Sequence, residues 1–99
     1  MAQFDFSPEP DGPGYWLDCQ TDLMEDFNTR FVVPLLPVDN APQPVRQLNP
    51  VFEIGGAEFI MATHLASAIP ASVIPPSSGS LADKRYEILN ALDFLITGA

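Results

Sequence analysis

The sequence predicts a mainly β fold, a small antiparallel sheet or partly open barrel with one C-terminal helix packed on it. Three observations carry this. Short apolar runs, several with two-residue alternation, recur through the chain up to residue 74. Eleven prolines and six glycines punctuate the 99 residues. Sustained helical periodicity is confined to residues 80–99.

The elements follow in order. Gln3-Phe4-Asp5-Phe6 alternates, with both phenylalanines on one face, and reads as a first strand. Residues 7–14 hold three prolines and two glycines and form a turn or loop. Residues 15–20 alternate again: Tyr15, Leu17 and Cys19 on one face, Trp16, Asp18 and Gln20 on the other. A hairpin with the first strand is the economical arrangement. The polar and acidic residues 21–30 read as a loop.

Phe31-Val32-Val33-Pro34-Leu35-Leu36 is an apolar run. Pro34 lacks a ladder donor, which predicts a bulged or edge strand. Residues 37–44 hold three prolines and cannot form a long helix. Residues 45–49 fit another short strand.

Val51-Phe52-Glu53-Ile54 and Ala57-Glu58-Phe59-Ile60-Met61 flank Gly55-Gly56, the strongest hairpin signal in the chain. A two-residue turn sets Phe52 opposite Phe59, Ile54 opposite Ala57 and Glu53 opposite Glu58. The last pair is like-charged. Either that face is well solvated, or the loop is longer and the register shifts. Residues 63–68 continue the strand or turn, Ile69-Pro70 ends it, and Ala71-Ser72-Val73-Ile74 reads as a last strand. Residues 75–79 are a linker. In the final segment Leu81, Ile88, Leu92 and Leu95 share one helical face, widened by Leu89 and Ile96. Ser80 takes the N-cap place with Asp83 three residues on, and Gly98 is placed to end the helix in a left-handed conformation.

Composition bounds the function. The chain fits one domain over residues 1–99. Hydrophobic residues make up 46%, which excludes a disordered chain. The net charge is −9 with only Arg30, Arg46, Lys84 and Arg85 basic. Nucleic acid and anionic membrane are thereby disfavoured as partners, since both need clustered cations. A protein with a basic or neutral face fits better. The single Cys19 excludes an intramolecular disulfide and a cysteine metal cluster. That and the lack of a basic or long apolar stretch at the N-terminus predict a cytoplasmic protein.

Catalytic patterns are missing from the sequence. His64 is the single histidine, with no nucleophile elbow to serve, so a surface or structural role is expected. Cys19 shares its face with Leu17 and reads as a small buried hydrophobe rather than a nucleophile. Asp18 with Asp22, or Glu53 with Glu58, are carboxylate pairs that thirteen acidic residues make inevitable. There is no phosphate loop, dinucleotide fingerprint or metal spacing. No cofactor, no metal and no enzymatic activity are expected. Most aromatic residues are assigned to the core; Trp16, sharing a face with Asp18 and Gln20, is expected to be partly exposed at an interface.

Several stretches together resemble the CcdB family of toxins. They are Gln3-Phe4, Asp18-Cys19-Gln20-Thr21-Asp22, Arg30-Phe31-Val32-Val33-Pro34-Leu35, Leu48-Asn49-Pro50-Val51-Phe52-Glu53-Ile54-Gly55, Ala66-Ser67-Ala68-Ile69-Pro70-Ala71-Ser72-Val73-Ile74, Asn90-Ala91 and Gly98. The similarity runs nearly end to end in one order. It implies a homodimeric type II toxin with an SH3-like antiparallel barrel and a C-terminal helix. Such a toxin binds the DNA gyrase A subunit, traps the enzyme on cleaved DNA and is neutralised by a CcdA-like antitoxin. The implied target-binding residues are Gln3, Phe4, Thr21, Leu23, Asp93, Thr97, Gly98 and Ala99.

Where the family ends in Trp-Gly-Ile, this chain has Thr97-Gly98-Ala99: the glycine is kept and the two large side chains are replaced. Truncating a buried tryptophan at an interface typically costs several kcal/mol, ~2–4 as a rule. An alternative therefore stands beside the gyrase poison: an antitoxin-binding protein without gyrase activity, or with another target. A ribonuclease on the related MazF/Kid scaffold is a third reading, disfavoured because cleaving RNA there needs a basic groove. At net charge −9 the antitoxin's toxin-binding segment is expected to be basic or neutral.

Overall fold

The structure, a computed structural model, describes residues 1–41 and 43–98, with Asn40 described by its backbone alone. The strands are β1 (Asp5–Pro8), β2 (Tyr15–Asp18), β3 (Thr29–Pro37), β4 (Val51–Ile54), β5 (Ala57–Met61), β6 (Ser67–Pro70) and β7 (Gly79–Ser80), followed by one helix, α1 (Arg85–Thr97). All pairings are antiparallel, in the order β4-β5-β3-β2-β1-β7, and β6 also pairs β3. The sheet curls into a half-barrel with the helix on it, as the patterning predicts.

Both expected hairpins form. β1 pairs β2 with Phe6 opposite Leu17. β4 pairs β5 with Phe52 opposite Phe59, Glu53 opposite Glu58 and Ile54 opposite Ala57. Gly55 and Gly56 both take positive φ, 61° and 84°, which the tight primed turn requires. The two glutamates are exposed, so water screens their repulsion. The first strand is displaced from residues 3–6 to Asp5–Pro8, because Phe4 has φ +70° and cannot lie in a strand.

Several expectations are corrected. Pro34 lies inside β3, the longest and most connected strand, rather than on an edge. Its carbonyl faces β5 and accepts from the Ala62 amide at 2.8 Å. Its missing N–H lies on that same side, where the neighbour of β3 changes from β6 (paired to residues 29–32) to β5 (paired to residues 35–37). The proline thus fills a register gap at which no ladder donor is needed.

Residues 45–49 form a turn, not a strand: Leu48 and Asn49 amides both donate to the Val45 carbonyl, and Gln47 has φ +74°. Asn49 locks it, accepting from the Val45 amide at 2.9 Å and donating to the Met61 carbonyl at 3.0 Å. Ile69 and Pro70 belong to β6 instead of ending it; Pro70 is tolerated as the last residue of a strand paired on one side. Ala71–Val73 is a 3₁₀ turn, not a strand.

The helix also starts later than expected. Ser80 Oγ accepts from the Ala82 amide at 3.1 Å, but this initiates a 3₁₀ turn, Ala82–Lys84, and α1 begins at Arg85. Gly98 ends it as expected, with φ +73° and its amide 2.8 Å from the Phe94 carbonyl. Ile88 and Ala91 are its fully buried residues. Leu89 and Leu92 pack at the edge of the core with them. Leu95 and Ile96 are exposed, so the predicted stripe is buried only in its first half. Eight residues past Ile88, Ile96 is rotated about 80° away from it.

The core lies between sheet and helix and is built on Phe4, Phe6, Leu17, Leu35, Phe52 and Met61. Tyr15 meets Phe6 and Phe59 edge-on, at 5.1 and 5.2 Å between centroids. Gly14 is required by close approach, since a Cβ there would sit 2.1 Å from the Leu35 carbonyl oxygen.

Candidate target-binding surface

The residues implicated by sequence fall into two groups. The first surrounds the amino terminus. Gln3 bridges three elements: its amide donates to Asp22 Oδ1 at 2.8 Å, its Nε2 to the Cys19 carbonyl at 3.2 Å, and its Oε1 accepts from Arg85 Nη1 at 3.4 Å. Phe4 is buried, and the Arg85 guanidinium stands 5.5 Å from its ring centroid, a cation–π contact. Phe4 is thus part of the support and Gln3 is the partly exposed member of the pair.

Thr21 caps the 3₁₀ turn Asp22–Met24, its Oγ1 accepting from the Leu23 amide at 3.3 Å. Gln20 braces the same loop by donating to the Met24 carbonyl at 3.0 Å and accepting from the Phe31 amide at 2.9 Å. On this braced loop Leu23 is 88% exposed and Phe27 60%. An exposed leucine forgoes the roughly 1.5–3 kcal/mol that burial would supply, which keeps it available for a partner. Met24 and Phe27 carry no mark in the sequence reading, yet large apolar residues inside an acidic loop are a legible signal of contact surface.

The second group occupies the end of α1. Asp93 lines a shallow cleft of about 300 Å³ with Gln47, Pro50, Glu87, Asn90 and Phe94. Thr97 Oγ1 donates to the Asp93 carbonyl one turn earlier at 2.8 Å. Ile96, beside it, is 80% exposed. Ala99 lies outside the described residues. From Arg85 at the first group to Thr97 at the second, the helix rises about 18 Å. The two groups are therefore separate patches on the chain.

Between β2 and β3 lies a feature the alternation of residues 15–20 hides. Alternation puts Asp18 with Trp16 and Gln20 on the face opposite Leu17, yet its side chain is fully buried. It binds Arg30, with Nε 2.8 Å and Nη2 2.7 Å from Oδ2, and takes the Gln20 amide on Oδ1 at 3.0 Å. Burial raises the Asp18 carboxyl above its ordinary range, opposed by the Gln20 amide and by Arg30. Trp16 is part-buried, packed in register with Pro34.

Cys19 is buried as expected; burial, and secondarily the charge of Asp18, push its thiol up to about 12. His64 is exposed on a 3₁₀ turn. Among the described residues no three His, Cys, Asp or Glu side chains converge to hold a metal, and no helix is long and apolar enough to cross a membrane. The arrangement offers apolar anchors and carboxylates for protein contact. A protein-family model described as CcdB protein matches residues 3–98.

Proposed function

The chain belongs to the CcdB family, toxins of toxin–antitoxin systems, and from that premise we propose that it acts in the cytoplasm by binding the DNA gyrase A subunit and trapping the cleaved-DNA complex. The observation that carries the reading is the extent of the family match, which runs from Gln3 through Gly98 and so takes in the first residue group and all of the second but Ala99. The toxin acts by binding rather than catalysis. A homodimer is part of the proposal, as membership of the family implies. Pairing two copies would offer one target four patches. Neutralisation falls to a CcdA-like antitoxin whose toxin-binding segment is basic or neutral, as the net charge of −9 favours. In a plasmid setting such a pair serves maintenance.

Leu23 and Gln3 are the proposed anchor and polar contact of the first group, with Thr21 and Phe4 holding them. Asp93, Thr97, Gly98 and Ala99 form the second. One observation favours a second reading: threonine stands at 97 and alanine at 99, where the family carries tryptophan and isoleucine. That reading keeps antitoxin binding and removes gyrase, or changes the target.

The deciding experiment is a supercoiling and cleavage assay with gyrase, comparing the natural protein with the Thr97→Trp/Ala99→Ile double variant. Inhibition with trapped cleaved DNA by the natural protein supports the gyrase reading. Inhibition by the double variant alone supports the second. No inhibition by either removes gyrase as the target.

A further inference from the structure

The cleft that Asp93 lines lies between α1 and the 45–49 turn and holds about 300 Å³. Glu87, Asn90 and Phe94 recur at helical spacing along α1, and Gln47 and Pro50 line the cleft with them. Phe94 and Pro50 are half-buried and form its apolar wall. Gln47 is held beside it at φ +74°, a left-handed conformation that glutamine adopts at a cost.

The polar side chains of this cleft are unengaged. Gln3, Gln20 and Asn49 commit their side-chain amides to bonds inside the protein. Among the described residues, no side-chain hydrogen bond or ion pair engages Gln47, Glu87, Asn90 or Asp93. Arg46 and Lys84 are near in sequence, yet no cation lines the cleft.

The charges and their spacing select the ligand. Two carboxylates without a cation favour a dication and repel anions. Glu87 and Asp93 are six residues apart on α1, about 9 Å along its axis. That spacing suits two charges joined by a short chain rather than one metal ion, and among the described residues no set of three metal-ligating side chains forms. The Phe94 ring accommodates methylene groups and attracts a cation at its face. The side-chain carbonyls of Gln47 and Asn90 accept the N–H donors that a carboxylate leaves over. We propose that this cleft binds a free aliphatic diamine, with one ammonium on Glu87, the other on Asp93, and the carbon chain across Phe94 and Pro50. The ligand is a small molecule, distinct from antitoxin and gyrase, and the proposal holds whichever protein is the target.

The test titrates the full chain with putrescine, followed by backbone amide resonances and by calorimetry. Saturable shifts should gather at Gln47, Asn90 and Phe94. Butylamine, of the same chain length with a single ammonium, should bind at least about fivefold more weakly. Glu87→Gln/Asp93→Asn should weaken putrescine binding about tenfold. Glu53→Gln/Glu58→Gln removes the same charge from the exposed faces of the β4–β5 hairpin and should leave binding unchanged. Equal weakening by the two double variants would reduce the effect to attraction by the net charge of −9 and overturn the proposal. So would equal binding of butylamine, shifts gathered elsewhere, or displacement of putrescine by magnesium chloride at equal concentration. Should Glu87→Gln/Asp93→Asn fail to fold, Phe94→Leu decides: it keeps an apolar wall without the ring and should weaken putrescine severalfold, and unchanged binding there overturns the proposal.

Discussion

Asp18 and Arg30 bind each other inside the half-barrel, Nε and Nη2 of the arginine at 2.8 and 2.7 Å from one carboxylate oxygen. The pair spans neighbouring strands, and neither side chain keeps more than 6% of its surface in water. Such a pair contributes little net stability, but breaking it strands a buried charge. Arg30→Leu should therefore cost about 3–5 kcal/mol, and Asp18→Leu/Arg30→Leu together should recover most of that loss. Urea unfolding of the three proteins checks this; a double variant as unstable as the single one would show that the pair does more than neutralise itself.

Glu9 should give stability a pH dependence. Burial raises its carboxyl above the ordinary value of 4.5, opposed by the Gly14 backbone. The folded state then holds that proton at pH values where the unfolded chain has released it. Its contribution to stability is fully present below 4.5 and is lost as pH rises through the raised folded value. Glu9→Gln should flatten the fall in stability just above that pH, measured by denaturant midpoints across the range. A variant with the natural slope would assign the dependence to other groups, Asp18 first.

Cys19 should be chemically silent in the folded protein. With its thiol pushed up to about 12, thiolate is scarce at neutral pH, and the side chain is also buried. Alkylation followed by mass spectrometry should show labelling that is slow in buffer and fast in denaturant. Comparable rates in the two would mean that the β2 end opens readily.

Gly14→Ala should destabilise where a glycine-to-alanine change often helps. The new methyl would meet the Leu35 carbonyl oxygen at 2.1 Å and Glu9 Oε1 at 2.6 Å. Overpacking against backbone typically costs ~1–3 kcal/mol, and here the upper part of that range is expected. At Gly12 a Cβ meets only the Glu9 carboxylate, at 3.4 Å or more, so Gly12→Ala is the control and should be close to neutral in thermal unfolding.

The sequence by itself determined the fold class, the presence of both hairpins, the register of the one turned at Gly55-Gly56, the glycine that ends the helix and the family. Each is written locally: alternation fixes a strand's faces, Gly55-Gly56 fixes the turn and with it every opposite pair, and Gly98 alone adopts its φ of +73° cheaply. Only the tertiary structure decided the rest. Pro34 sits in a central strand because the partner of β3 changes beside it, and no local rule carries that. Asp18 is buried because Arg30, twelve positions away, comes to meet it. Leu95 and Ile96 are exposed, although they continue an apolar stripe, because burial depends on what stands opposite a helix and not on its periodicity. The two residue groups are about a helix length apart for the same reason: proximity in space is set by how the chain packs, which local patterning does not encode.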